Sequence, residues 1–185
     1  MPELSKEEIR RRFEQSKEFN ELFDTFDHAV QHRYDDLELY KMLFWNPTLT
    51  PDELCLFGEK LAKEFPPLAY DTYMWLADIF EVTYSMYDNH VRSLEYFQKA
   101  ASVRPNESAT YLAAAKCYKP DLNIPPLSLL ITFLKQGANQ SDRPKVVYQR
   151  LIELYEYAAN DEMIEYYKRK LDEGSASTEK QPPER

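Results

Sequence analysis

Apolar residues recur three and four positions apart along almost the whole chain, and nowhere do they alternate as a half-buried strand would. The sharpest case is 93–106, SLEYFQKAASVRPN. Leu94, Phe97, Ala100 and Ala101 form one apolar helix face there, and Pro105 follows where the helix must end. Ser5 with Glu8, and Thr50 with Pro51 and Glu53, each read as a capping box that opens a helix. The helix opened at Ser5 carries Ile9, Phe13, Phe19, Leu22, Phe23, Phe26, Ala29 and Val30, and is expected to run unbroken to about His32. Asp35–Trp45 forms the next, with Leu37, Leu39, Tyr40, Leu43, Phe44 and Trp45, and Asn46-Pro47 ends it. The helix opened at Thr50 stops at Phe65-Pro66-Pro67. From Ala69 a longer one carries Tyr73, Leu76, Ala77 and Phe80, and is expected to continue through Tyr84 and Tyr87 to a turn near Asp88-Asn89. Tyr111, Ala114, Ala115 and Tyr118 share another face, and a proline-rich loop, Pro120–Pro126, separates them from Leu130, Leu134 and Gly137. Tyr148, Leu151, Ile152 and Tyr155, then Met163, Tyr167 and Lys170, mark the last two helices. The expected fold is all-α.

These faces come round again. Tyr73, Tyr111 and Tyr148 stand 38 and 37 residues apart, and Tyr40 stands 33 before Tyr73 with Leu43 and Phe44 in register. Ser93, Phe97, Ala100 and Pro105 resemble the second half of a tetratricopeptide repeat, whose pattern is W-x2-L-G-x2-Y…A-x3-F…P. Tyr73, Leu76, Ala77 and Phe80 stand where its first helix has Trp, Leu, Gly and Tyr. The resemblance covers roughly Tyr70–Leu171 and reaches back to Asp36. It implies a right-handed superhelical stack of antiparallel helix pairs, a TPR-like alpha-alpha solenoid, with a concave groove lined by the first helices. Residues 1–34 would be an N-terminal capping helix, which such stacks need. Residues 35–173 would be the array, with one degenerate and about three recognisable repeats. Residues 174–185, GSASTEKQPPER, offer almost nothing apolar to bury and read as a disordered tail.

Composition supports a folded helical chain: 43% of the 185 residues are hydrophobic, and there are only 3 glycines. The net charge of −9 opposes binding to nucleic acid, whose affinity rests on neutralising phosphates, and to anionic membranes. Cys55 and Cys117 lie in apolar helical stretches without metal-ligand spacing, so they read as buried free thiols. The first residues lack the apolar core of a secretory signal, and no run is long enough to cross a membrane. A cytoplasmic location is expected.

Candidate chemistry is sparse. Asp24, His28 and His32 share a helix face at four-residue spacing, but no fourth ligand accompanies them, and solvated side chains are the expected reading. No Gly-rich phosphate loop and no nucleophile motif is present, so neither catalytic residues nor a cofactor or metal is assigned. Helical geometry places Met74, Asp78 and Glu81 on the groove side of one first helix, Leu112, Lys116 and Lys119 on that of the next, and Gln149, Glu153 and Glu156 on that of the last. Some tetratricopeptide proteins clamp the acidic tail of heat-shock chaperones with Lys, Arg and Asn. The corresponding places here hold Met74, Asp78, Ala113, Val146 and Arg150, of which only Arg150 fits. The leading expectation is a non-enzymatic protein-interaction module, an adaptor or chaperone-like scaffold binding a partner peptide or helix. Self-association into a structural homo-oligomer, and a helical enzyme of unrecognised chemistry, stay open.

Overall fold

The computed structural model describes residues 4–83, 85–86 and 88–176, with only the backbone given for 174–176. These residues form ten α-helices and no β-strand, so the chain is all-α. They are α1 (Lys6–Gln15), α2 (Phe19–Gln31), α3 (Leu37–Phe44), α4 (Pro51–Glu64), α5 (Ala69–Val82), α6 (Asn89–Val103), α7 (Ser108–Lys116), α8 (Leu127–Gln140), α9 (Pro144–Tyr157) and α10 (Asp161–Ala176). None of the described helices is long and apolar enough to cross a membrane. The chain divides into two compact units, Met1–Ala100 and Ala101–Arg185.

In the first unit, the helix expected to run from Ser5 to His32 is two helices. The apolar stripe breaks at Ser16-Lys17-Glu18, where Ser16 and Glu18 are extended. Asn46 holds the break. Its side chain is buried and donates to Phe13 O at 2.9 Å and Ser16 O at 2.8 Å, satisfying carbonyls that the end of α1 leaves without intrahelical partners. Thr50 and Glu53 form the complete capping box: Glu53 N–H donates to Thr50 Oγ1 and Thr50 N–H to Glu53 Oε2. Ser5 forms only half of its box, accepting from Glu8 N–H while the Glu8 carboxylate turns to Arg11 and Arg12. The rings of Phe13, Phe26, Tyr40 and Phe57 interlock across α1, α2, α3 and α4, with Phe26 and Phe57 centred 5.0 Å apart. The helix from Ala69 is shorter than expected. It ends at Val82, where Thr83 Oγ1 donates back to Ile79 O and in turn accepts from Asn89 Nδ2. Tyr84 and Tyr87 lie outside the described residues. Asp88 takes a left-handed φ of 54°, and α6 starts at the next residue, as the expected turn requires. Leu94, Phe97 and Ala100 are buried, and Ser93 Oγ donates to Ala77 O at 2.9 Å, fixing α6 on α5.

In the second unit, α9 packs on α7, α8 and α10, and α7 packs on α8. Gly137 lets α8 approach α7 closely: a Cβ there would stand 2.4 Å from the Tyr111 ring. The Pro120–Pro126 loop holds a short 3₁₀ turn and a two-residue bridge between Lys119 and Ile124. Asn123, left-handed at φ 49°, accepts from Leu127 N–H at the start of α8. α10 continues to Ala176, three residues into the segment expected to be a tail; 177–185 lie outside the described residues.

The units differ in charge. Residues 1–100 hold 11 Lys+Arg and 20 Asp+Glu, and residues 101–185 hold 12 of each, so the whole −9 lies in the first.

Candidate interaction surface

The buried face of α5 carries Leu76, Ala77 and Phe80, all fully shielded from solvent. A helix with one stripe so occupied must turn the positions between outward. Of the residues assigned to the other side, Met74 and Glu81 are half-buried and Asp78 is exposed. Partial desolvation of the Asp78 carboxyl, and then the charge of Glu81 one turn on, raise its pKa above the ordinary carboxylate value. Asp78 has no hydrogen bond or ion pair among the described residues.

The most pronounced feature of this side was not anticipated. Trp75 sits on α5 beside Met74, and Trp45, the residue that ends α3, packs edge-on against it, with centroids 6.2 Å apart and rings at 88°. Trp45 is 52% exposed, although the sequence suggested a place on an apolar helix face. Lys41, one turn before Trp45 on α3, lays its ammonium 4.3 Å over the Trp75 ring and pairs with Glu38 at 2.6 Å. Trp75 Nε1–H is enclosed without an acceptor among the described residues. The tryptophan pair bridges two helices from positions 30 residues apart, which no local periodicity reports.

In the second unit the assigned residues fall on two neighbouring helices and a loop. Leu112 is half-buried and Lys116 exposed on α7. Lys119 lies beyond the end of α7, where its backbone bridges to Ile124; its place before Pro120 disfavours helical backbone. On α9, Gln149, Glu153 and Glu156 are exposed, and the half-buried Arg150 pairs with Glu153. An aromatic pair ends this surface too: Tyr118 meets the exposed Tyr157 edge-on at 5.4 Å.

Elsewhere the ionisable groups close on one another. His28 Nε2 accepts from Leu4 N–H, and the His28 and His32 rings stack at 3.9 Å, which ties this pair to the chain's own packing. No three His, Cys, Asp or Glu side chains converge as metal ligands among the described residues. Cys55 and Cys117 are free thiols and half-buried rather than buried. Between α4 and α6, Arg92 donates to both Cys55 Sγ (3.2 Å) and Asp52 (2.7 Å), and Lys99 pairs with Glu59. Burial first, then Cys55 and Glu59, push the Tyr96 phenol well above its ordinary pKa. This seam holds the two helices together through neutralised pairs. Comparison of the chain with family models, with curated proteins and with solved structures finds no match in any of the three.

Proposed function

We propose that the chain is a non-enzymatic protein-interaction module that holds a partner's peptide or helix against the outward face of first helices, α3 with α5 in the first unit, with α7 and α9 offering a face of their own in the second. The observation that carries this is Trp45, more than half exposed and braced edge-on by Trp75. A large rigid aromatic in such a place offers much contact area at little entropic cost, and tryptophan is enriched among the residues that dominate interfaces. The side-by-side packing of α3 with α5 and of α7 with α9 supports the same reading, since in a tetratricopeptide-like stack first helices of consecutive pairs are neighbours. The resemblance extends to role: adaptor or scaffold.

The test is recovery of a partner by crosslinking and affinity capture, followed by measurement of its affinity for the purified chain and for Trp45→Ala. A loss of at least about tenfold with the helical spectrum intact, the scale of an interface hot spot, is expected. An unchanged affinity for Trp45→Ala would refute this surface. Sedimentation over a range of concentrations decides the self-association alternative: a dimer that Trp45→Ala dissociates would place a second copy of the chain on the same face.

A further inference from the structure

Resting on the reading that the α3–α5 face binds protein, we propose that its partner is a basic segment, which docks a lysine or arginine side chain between the Trp45 ring and the Asp78 carboxylate. Three independent observations converge on a cation.

The first is the distribution of charge. The first unit carries the entire net −9, while the second is balanced. α5 itself holds Asp71, Asp78 and Glu81 and no Lys or Arg. Such a field repels acidic segments and speeds encounter with basic ones.

The second is the unanswered carboxylate. Several acidic side chains of this unit pair with a cation on another element: Asp27 has Lys60, Asp36 has Lys6, Asp52 has Arg92 and Glu59 has Lys99. Asp78 has neither ion pair nor hydrogen bond among the described residues and stands one turn from Glu81. Desolvation first, and then the charge of Glu81, raise its pKa, and a cation beside it would offset both.

The third is that this aromatic pair already accepts a cation. The Lys41 ammonium sits over the Trp75 ring at 4.3 Å, a cation–π distance. Lys41 is held by Glu38, so its charge is committed. Trp45, 52% exposed, offers the second tryptophan of the pair to a second cation. Arginine suits the place best: its planar guanidinium can stack on an indole while its N–H groups donate to a carboxylate. Met74 beside the tryptophans supplies adaptable apolar contact for the rest of the segment.

The experiment uses fluorescein-labelled amphipathic helical peptides with leucines on one face and arginines on the other. A twin carries citrulline, neutral and nearly isosteric, at every arginine. Anisotropy titrations are run on the full chain, on Trp45→Ala, on Asp78→Asn, and on Glu162→Gln, which removes an equal charge from the exposed start of α10. The arginine peptide is expected to bind and the citrulline twin to bind more weakly. Trp45→Ala should weaken the arginine peptide roughly two- to thirtyfold, the range of cation–π stabilisation. Asp78→Asn should weaken it by up to roughly fivefold, as for a partly exposed ion pair, and Glu162→Gln should leave it unchanged. Equal losses with Asp78→Asn and Glu162→Gln would overturn the proposal in favour of diffuse attraction. Equal binding of both peptides, still lost in Trp45→Ala, would overturn the cation and leave the protein-binding face standing. Binding indifferent to Trp45→Ala would overturn both.

Discussion

Among the described residues the first unit buries seven phenylalanines, whereas the second buries one, Phe133, beside leucines, tyrosines and a closely packed glycine. Phe13, Phe26 and Phe57 have no polar atom to satisfy, so their rings meet in the interior of α1, α2 and α4 at no hydrogen-bonding cost. The tyrosines of the second unit need an outlet. Tyr111 finds one by donating to Pro105 O at 2.9 Å while its ring stacks near Phe133. Tyr167 lies among Tyr148, Tyr155 and Tyr166; burial first, then those neighbours, push its phenol up to about 12. The outer surfaces diverge as well, one unit acidic and the other neutral. Similar helix pairs can therefore rest on different interior chemistry, and their surfaces can be set apart for partners of different charge.

Five substitutions test how deep that difference runs. Phe57→Ala should be the most damaging, by about 3–5 kcal/mol, because Phe57 is buried and its ring touches those of Phe19, Phe23 and Phe26. Urea unfolding followed by far-ultraviolet circular dichroism measures it; a loss near 1 kcal/mol would mean that the phenylalanine cluster is not what holds the unit together. Asn46→Ala should cost about 1–3 kcal/mol, since it strips two carbonyls at the end of α1 of their donor. The same unfolding curve reads it, and a neutral result would show that water replaces the amide.

Gly137→Ala and Gly58→Ala form a direct contrast. The first drives a methyl into the Tyr111 ring at 2.4 Å, a ring pinned by its own hydrogen bond, and should cost about 1–2 kcal/mol net of the gain in helix propensity. The second meets Leu76 Cδ1, the far end of a side chain that can turn aside, and should cost less. Equal costs for the two would break the distinction between a ring-locked and an adaptable interface.

Asp78→Asn should have the smallest effect, a stabilisation of no more than about 0.5 kcal/mol near neutral pH, where surface screening limits such terms. The sign follows from the raised pKa. The folded state binds the Asp78 proton more tightly than the unfolded chain does, so the ionised carboxylate opposes folding above the folded-state pKa. That penalty fades as pH falls through the folded-state pKa toward the unfolded one, and the advantage of asparagine should fade with it. An advantage that grew toward acid would contradict the assignment.

Local signals were legible in most places where the cause of a structure lies within one or two turns. Thr50, Pro51 and Glu53 contain their whole capping box, and Phe97 and Ala100 lie on the buried face their spacing describes. The exposure of Asp78 follows from the buried set on either side of it, Leu76, Ala77, Ile79 and Phe80. What escaped was fixed from elsewhere in the chain. The break after α1 is stabilised by Asn46, some thirty residues on, and the polar run Ser16-Lys17-Glu18 is its one local mark. Trp45 and Trp75 meet only because α3 and α5 pack together. Lys119 is a different kind of miss, since Pro120 directly after it already argued against helix.

The tryptophan pair also makes the molecule its own spectrometer. The chain has 2 tryptophans, and both lie in the first unit, in contact with each other. Intrinsic indole emission therefore reports the environment of α3 and α5 alone, whereas circular dichroism reports helices in both units. Denaturation followed by the two signals in one cuvette separates the units without any label: superimposed curves mean that they melt as one cooperative body, and displaced curves give each its own midpoint.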